Sequence, residues 1–153
     1  IEVYALALGR ETGLSRLQIQ DFAPGAALHT ESRQPLTQTK AQQPVVWREG
    51  ICVWTLDAFC RELGVWPSAM KIDVDGSEPD ILDGAQETLR APSLRTLLIE
   101  LPRDPDARRT ATQQLQAAGW QRQWSSDPAM TQNEIWTRTA STVDTISHAR
   151  LAA

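Results

Sequence analysis

The stretch that most constrains this chain lies at its centre, where strand, helix and strand follow within roughly 30 residues, the size of one βαβ unit. Ala69–Val74 alternates, with Met70, Ile72 and Val74 on one face and Lys71 and Asp73 on the other. That period of two is expected of a strand. Asp75-Gly76-Ser77 reads as a turn, and Ser77-Glu78-Pro79-Asp80 as a helix start. Serine is a good cap, an acid stands three residues on, and proline is tolerated in a first turn. The helix is expected to bury Ile81, Leu82, Ala85 and Leu89 and to close at Arg90 and Pro92. Thr96–Leu101 is a nearly continuous apolar run stopped by Pro102, the pattern of a strand covered on both faces in a parallel sheet. A crossover of this kind is right-handed in nearly all proteins. The fold class is therefore α/β.

The flanking segments add fewer constraints. Ile1–Leu8 reads as a strand, and Leu17 and Ile19 alternate with Arg16, Gln18 and Gln20 as a half-buried one. Residues 21–50 are rich in Pro, Gln, Thr and Ser, without clear periodicity, and read as a long loop. Ile51–Trp54 is a short strand. Thr55 can cap a helix with Leu56, Phe59, Cys60 and Leu63 on one stripe, and Gly64 ends it. Cys52 and Cys60 both read as core thiols. A helix from about Asp104 to Ala118 carries Ala107, Ala111, Leu115 and Ala118 on one stripe, with Gly119 after it. Trp120–Trp124 and Glu134–Arg138 are expected to pair as an antiparallel hairpin. Residues 1–138 form the expected domain, and 139–153 a Ser/Thr/Ala-rich tail.

Composition narrows the functional classes. A chain of 153 residues with 41% hydrophobic and 22% charged residues is ordinary globular material. A net charge of −4 argues against a general nucleic-acid binder. No apolar run approaches the ~18 residues of a membrane span, so no membrane partner is expected. No signal or transit segment is visible, and the expected location is the cytoplasm. Two cysteines are too few for a disulfide scaffold or a zinc site. Eight glycines include no G-x-G pair, so a nucleotide-type Gly-rich loop is missing.

Chemistry is concentrated at the strand ends. Ligands of open α/β sheets bind beyond the carboxyl ends of the strands. Asp73 and Asp75 finish one strand here and Glu100 finishes its presumed neighbour, so three carboxylates are expected at one mouth. Acids at an apolar strand end are costly unless paired or hydrogen-bonded. An EF-hand calcium loop starting at Asp73 fails, because its glycine position holds Glu78 and its bidentate acid position holds Gly84. A haloacid-dehalogenase-type phosphatase, with Asp73 as nucleophile and Asp75 as acid/base around Mg²⁺, matches the local D-x-D-G-S run. That family also needs a downstream lysine, and none follows Lys71. A non-catalytic α/β domain with structural acids is the remaining alternative.

One family accounts for more of the chain. Thr55-Leu56-Asp57, then Lys71-Ile72-Asp73-Val74-Asp75-Gly76-Ser77-Glu78, then Ile81-Leu82-Asp83-Gly84-Ala85 and Leu98-Ile99-Glu100-Leu101 occur in order. This series resembles the FkbM-type methyltransferase family, with its T-L-D, K-I-D-V-E-G-x-E, V-L-x-G-A and I-E segments. Ala5-Leu6-Ala7-Leu8-Gly9 with Thr12-Gly13, and Asn133-Glu134-Ile135-Trp136, are similar to its opening strand and closing strand. The likeness covers roughly residues 1–138 and departs at Asp75, where the family usually has Glu.

The resemblance implies a class I S-adenosylmethionine-dependent methyltransferase with a Rossmann-like sheet of order 3-2-1-4-5-7-6. On it the chain starts at the third strand, the first two strands and their Gly-rich turn being absent, and the isolated chain is expected to bind S-adenosylmethionine poorly. The implied reaction is O-methylation of a sugar or natural-product hydroxyl, with a small-molecule or glycan as partner. Asp73, Glu100 and Lys71 are then the expected catalytic-site residues, Lys71 ordering the acids electrostatically. Ala5 and Leu6 would lie near the adenine, and Asp75 and Glu78 would shape the cofactor-side turn, unless Glu78 simply favours the helix N-terminus. No metal is assigned, although oxygen ligands such as Asp73, Asp75 and Glu100 suit Mg²⁺. His29 is a candidate base in the long loop, and Trp47 and Trp54 are candidates for stacking on an acceptor.

Overall fold

The structure is a computed structural model and describes residues 1–19, 21, 30–32, 45–74, 76–127 and 129–138, with 30–32 given by backbone alone. The described residues form a mixed α/β arrangement of two small sheets and three α-helices. The first sheet contains β1 (Ala7–Leu8), β2 (Gly13–Ile19), β3 (Thr30–Ser32) and β4 (Trp47–Trp54), in the order β1-β4-β2-β3. β2 and β4 form an antiparallel ladder from Gly13 opposite Val53 to Ile19 opposite Trp47, and β1 lies parallel to β4.

Four expectations are corrected here. The segment read as a loop to residue 50 already contains the first half of β4 and all of β3. Its side chains show no period, because Trp47, Arg48, Glu49 and Gly50 are all exposed; pairing with β2 alone makes it a strand. The opening strand shrinks from Ile1–Leu8 to two residues, since only Ala7 and Leu8 find a ladder partner in β4. Cys52 is exposed, unlike the buried Cys60, and Gln18 is buried where exposure was expected.

The rest of the chain builds the second sheet and its covering helices. α1 (Leu56–Leu63) begins at Thr55, whose Oγ1 accepts the Ala58 N–H at 3.1 Å, and ends at Gly64, which adopts the left-handed φ of 65°. β5 (Ala69–Ile72) is followed by α2 (Glu78–Asp83) and a 3₁₀ turn at Thr88–Arg90. Then come β6 (Thr96–Glu100), α3 (Pro105–Ala117), β7 (Gln121–Ser125) and β8 (Asn133–Thr137). β5 stops two residues short of Val74, which is exposed. α2 also stops early, at Asp83. The amides of Glu87 and Thr88 donate to the Asp57 carboxylate and not to helical carbonyls, which bends the chain into turns.

The order of this sheet is β5-β6-β8-β7. β5 and β6 are parallel, as the crossover pattern requires, and β8 is inserted antiparallel between β6 and β7. The β7–β8 hairpin agrees with the expectation for that segment. The core is formed by Leu82, Leu89, Leu94, Leu97, Ile99 and Leu115, each fully buried. Burial of one such side chain is worth about 1.5–3 kcal/mol, so this core dominates the fold. α2 and α3 pack together, and Gln114 of α3 donates to the Pro79 carbonyl at 3.2 Å. Among the described residues no helix is long and apolar enough to cross a membrane. The tail 139–153 lies outside the described residues.

Candidate functional site

The parallel register puts Ile72 beside Ile99, so the residues that follow, Asp73 and Glu100, leave the sheet side by side. Their carboxyl groups are hydrogen-bonded to each other. Two neighbouring carboxylates disfavour each other's ionisation, and their surroundings treat them differently. The Lys71 ammonium, 2.6 Å from Asp73, holds that carboxyl below its ordinary range, and the bond from Glu100 adds to the effect. Burial, followed by the neighbouring Asp73, pushes Glu100 up. The surroundings thus drive the two apart, Asp73 toward its charged form and Glu100 toward its neutral one.

A third acid joins them that the strand-end pattern did not single out. Glu78, the first residue of α2, is only 2% exposed. The Gly76 amide donates to its Oε1 at 3.4 Å, while Oε2 has no hydrogen-bond partner among the described residues. Burial pushes this carboxyl up from its ordinary value, with Glu100 contributing in the same direction. The sequence offers Glu78 as a residue that shapes the turn with Asp75 or favours the helix N-terminus, and neither role predicts its burial. Only the packing of its surroundings reveals its burial, and the one available signal was its place at the end of the K-I-D-V run.

Two cavities meet at Asp73. The larger, about 800 Å³, is an apolar cleft lined by Leu6, Leu8, Ile51, Phe59 and Met70, with Lys71 and Asp73 at its polar end. It lies between β1, the outer strand of the first sheet, and β5, the outer strand of the second. The smaller, about 260 Å³, is lined by Asp73, Glu78, Glu100, Arg103 and Asp104.

The expected site residues are thus partly assembled. Lys71, Asp73 and Glu100 come together, and Leu6 lines the cleft. Ala5 is exposed and is not among the lining residues. Asp75 and His29 lie outside the described residues. Trp47 is 56% exposed, whereas Trp54 is half-buried and meets Phe59 edge-on at 6.3 Å. Among the described residues no three His, Cys, Asp or Glu side chains are grouped closely enough to hold a metal ion. Asp57, from the Thr-Leu-Asp segment, serves the fold: its carboxylate accepts the Glu87 amide and both the amide and hydroxyl of Thr88. No protein-family model, curated protein or solved structure matches the chain.

Proposed function

We propose that this chain is the acceptor-side part of a class I S-adenosylmethionine-dependent methyltransferase acting on a sugar or natural-product hydroxyl. The observation that carries the reading is the strand order β5-β6-β8-β7. It corresponds to strands 4-5-7-6 of the sheet implied by the FkbM-type resemblance, including the insertion of the last strand between its two predecessors. β1 corresponds to the third strand. Strands 2 and 1 of such a sheet belong between β1 and β5, where this chain has its apolar cleft.

S-adenosylmethionine, when bound, supplies an electrophilic methyl group on a sulfonium. The residues present fit the acceptor side of that chemistry, and no Gly-rich turn for the donor occurs among the glycines of the chain. Asp73 stands where both cavities meet and is kept ionised by Lys71. In this reading it accepts a hydrogen bond from the acceptor hydroxyl and orients its oxygen for an in-line approach at about 3–3.5 Å. As the C–O bond forms and the C–S bond breaks, the hydroxyl proton passes to the Asp73 carboxylate. Glu100, hydrogen-bonded to Asp73, holds it in place.

The test is transfer of a tritiated methyl group from S-adenosylmethionine to a panel of hydroxylated sugars and natural products by the encoded polypeptide. Asp73→Asn should lower turnover at least 100-fold without unfolding the protein, and unaltered turnover would sink the assignment. If the same substitution instead abolishes Mg²⁺-dependent hydrolysis of a generic phosphate ester, the protein is a phosphatase. Calorimetry on the 153-residue chain should show S-adenosylmethionine binding weaker than micromolar.

A further inference from the structure

We propose that Glu78 is a positioning residue for Asp73: from the start of α2 its side chain reaches back and holds the link that leads away from β5. The Gly76 amide is the point of attachment. It donates to Glu78 Oε1 at 3.4 Å and to the Val74 carbonyl at 2.6 Å, and Val74 follows Asp73 directly. Gly76 takes the left-handed φ of 101°, which glycine tolerates and other residues resist.

Burial and direction separate Glu78 from an ordinary first-turn acid. Such an acid faces solvent and favours the helix N-terminus by its charge. Glu78 is 2% exposed, and burial pushes it toward the neutral form, which forfeits that benefit. The backbone amides of Val74, Gly76 and Glu78 itself oppose the rise, so the carboxyl lies against the link and not out along the helix. Ser77, which the sequence offers as the cap, makes no side-chain capping bond. Holding a backbone amide asks for an acceptor oxygen at the right reach, and a neutral group supplies one as well as a charged group does.

The consequence falls on Asp73. It stands where both cavities meet, hydrogen-bonded to Glu100 and paired with Lys71. Val74, Gly76 and Glu78 line the smaller cavity beside it, with Arg103 and Asp104 from the segment before α3. A link fixed at Gly76 keeps Asp73 against Glu100; a link set free lets the carboxyl turn toward solvent. As a contribution to turnover the role rests on the methyl-transfer reading. The placement of Asp73 does not, and is measured on the chain alone.

The experiment compares Glu78→Gln with Glu78→Ala. Both remove the charge, and only glutamine keeps an acceptor at the same reach. The Asp73 and Glu100 carboxyls are followed by ¹³C NMR as pH is varied on the 153-residue chain. Glu78→Gln should leave Asp73 titrating below Glu100 as in the parent, while Glu78→Ala brings the two midpoints together. In methyl transfer, kcat should fall about 10–100-fold in Glu78→Ala with acceptor KM unchanged, and stay within about 3-fold in Glu78→Gln. Should Glu78→Ala fail to fold, Gly76→Ala attacks the same bond from the other side: the added carbon meets nothing within 4 Å, and only the φ of 101° is strained. It should bring the midpoints together as well. Identical titration in all folded variants, or equal losses in Glu78→Gln and Glu78→Ala, overturns the proposal. Converging midpoints in a chain that transfers no methyl group would overturn only the reaction.

Discussion

Gly84 and Gly9 lie backbone against backbone. A β-carbon built on Gly84 would stand 2.1 Å from the Gly9 carbonyl oxygen and 3.2 Å from Thr55 Cβ. The contact joins the end of α2 to the strand end of β1, since the Gly9 amide itself donates to the Trp54 carbonyl at 3.0 Å. It explains the glycine of the Ile81–Ala85 segment by close approach, with no appeal to an unusual φ. Gly84→Ala must push backbone from backbone, and should cost at least about 2–3 kcal/mol. Gly50→Ala, with nothing within 4 Å of the added carbon, should stay within about 0.5 kcal/mol. Urea midpoints measure both, and equal shifts would refute the contact.

Asp57 ties α1 to the turn after α2. Its Oδ1 accepts the Thr88 hydroxyl at 2.7 Å and amide at 2.8 Å, and its Oδ2 the Glu87 amide at 2.9 Å. Asp57→Ala leaves those donors buried and unpaired, with an expected loss of about 3 kcal/mol. Thr88→Val removes one bond and should cost about 1 kcal/mol. A double-mutant cycle should return a coupling of roughly 1 kcal/mol; additive effects would mean that the two side chains do not share energy.

Glu134, 1% exposed on β8, is satisfied by Arg108, by Arg122 at 3.3 Å and by the Trp136 indole N–H at 2.9 Å. Removing one partner of a buried pair leaves the other charge stranded, at roughly 3–5 kcal/mol when burial is complete. Arg108 is 30% exposed and Arg122 remains, so Arg108→Ala should cost about 2 kcal/mol. Arg122→Ala, at 55% exposure, should cost under about 1 kcal/mol. Thermal melts that rank the two the other way would contradict this hierarchy.

Acidity should tell Glu78 and Asp73 apart. Glu78 is raised above 4.5 by burial, within reach of Glu100, Asp73 and Arg103 around the small pocket. Between 4.5 and the raised value the folded state holds more protons than the unfolded one, so stability falls as pH rises through that window. Glu78→Gln abolishes this decline. The difference in Tm, variant minus parent, should therefore climb as pH increases from about 4 and then level off. Asp73 has the opposite sign: its contribution is present above 3.8 and lost as pH falls through its lowered value. Asp73→Asn should thus narrow the gap to the parent at the acid end. A pH-independent difference in either variant would show that the carboxyl is not perturbed.

Much of the local structure was legible because it is written in near neighbours. Thr55 caps α1, Gly64 ends it, and Ala111, Leu115 and Ala118 form the buried stripe of α3 as their spacing indicates. The crossover from β5 to β6 and the β7–β8 hairpin were equally visible, and so was the meeting of Asp73 with Glu100, since parallel pairing leaves little choice of neighbour. β4 was half hidden. Its exposed residues 47–50 carry no period, and a strand defined by its partner shows no pattern of its own.

The sequence by itself determined the α/β class, the strand-end acids and the order in which elements arrive, because periodicity and caps act over a few residues. Tertiary structure alone decided which surfaces are covered. It buried Glu78 and left its Oε2 unpaired among the described residues, exposed Cys52, and pressed Gly84 against Gly9. Burial belongs to distant segments that happen to meet, and an acid, a thiol or a glycine looks the same in sequence whether or not another element lies on it.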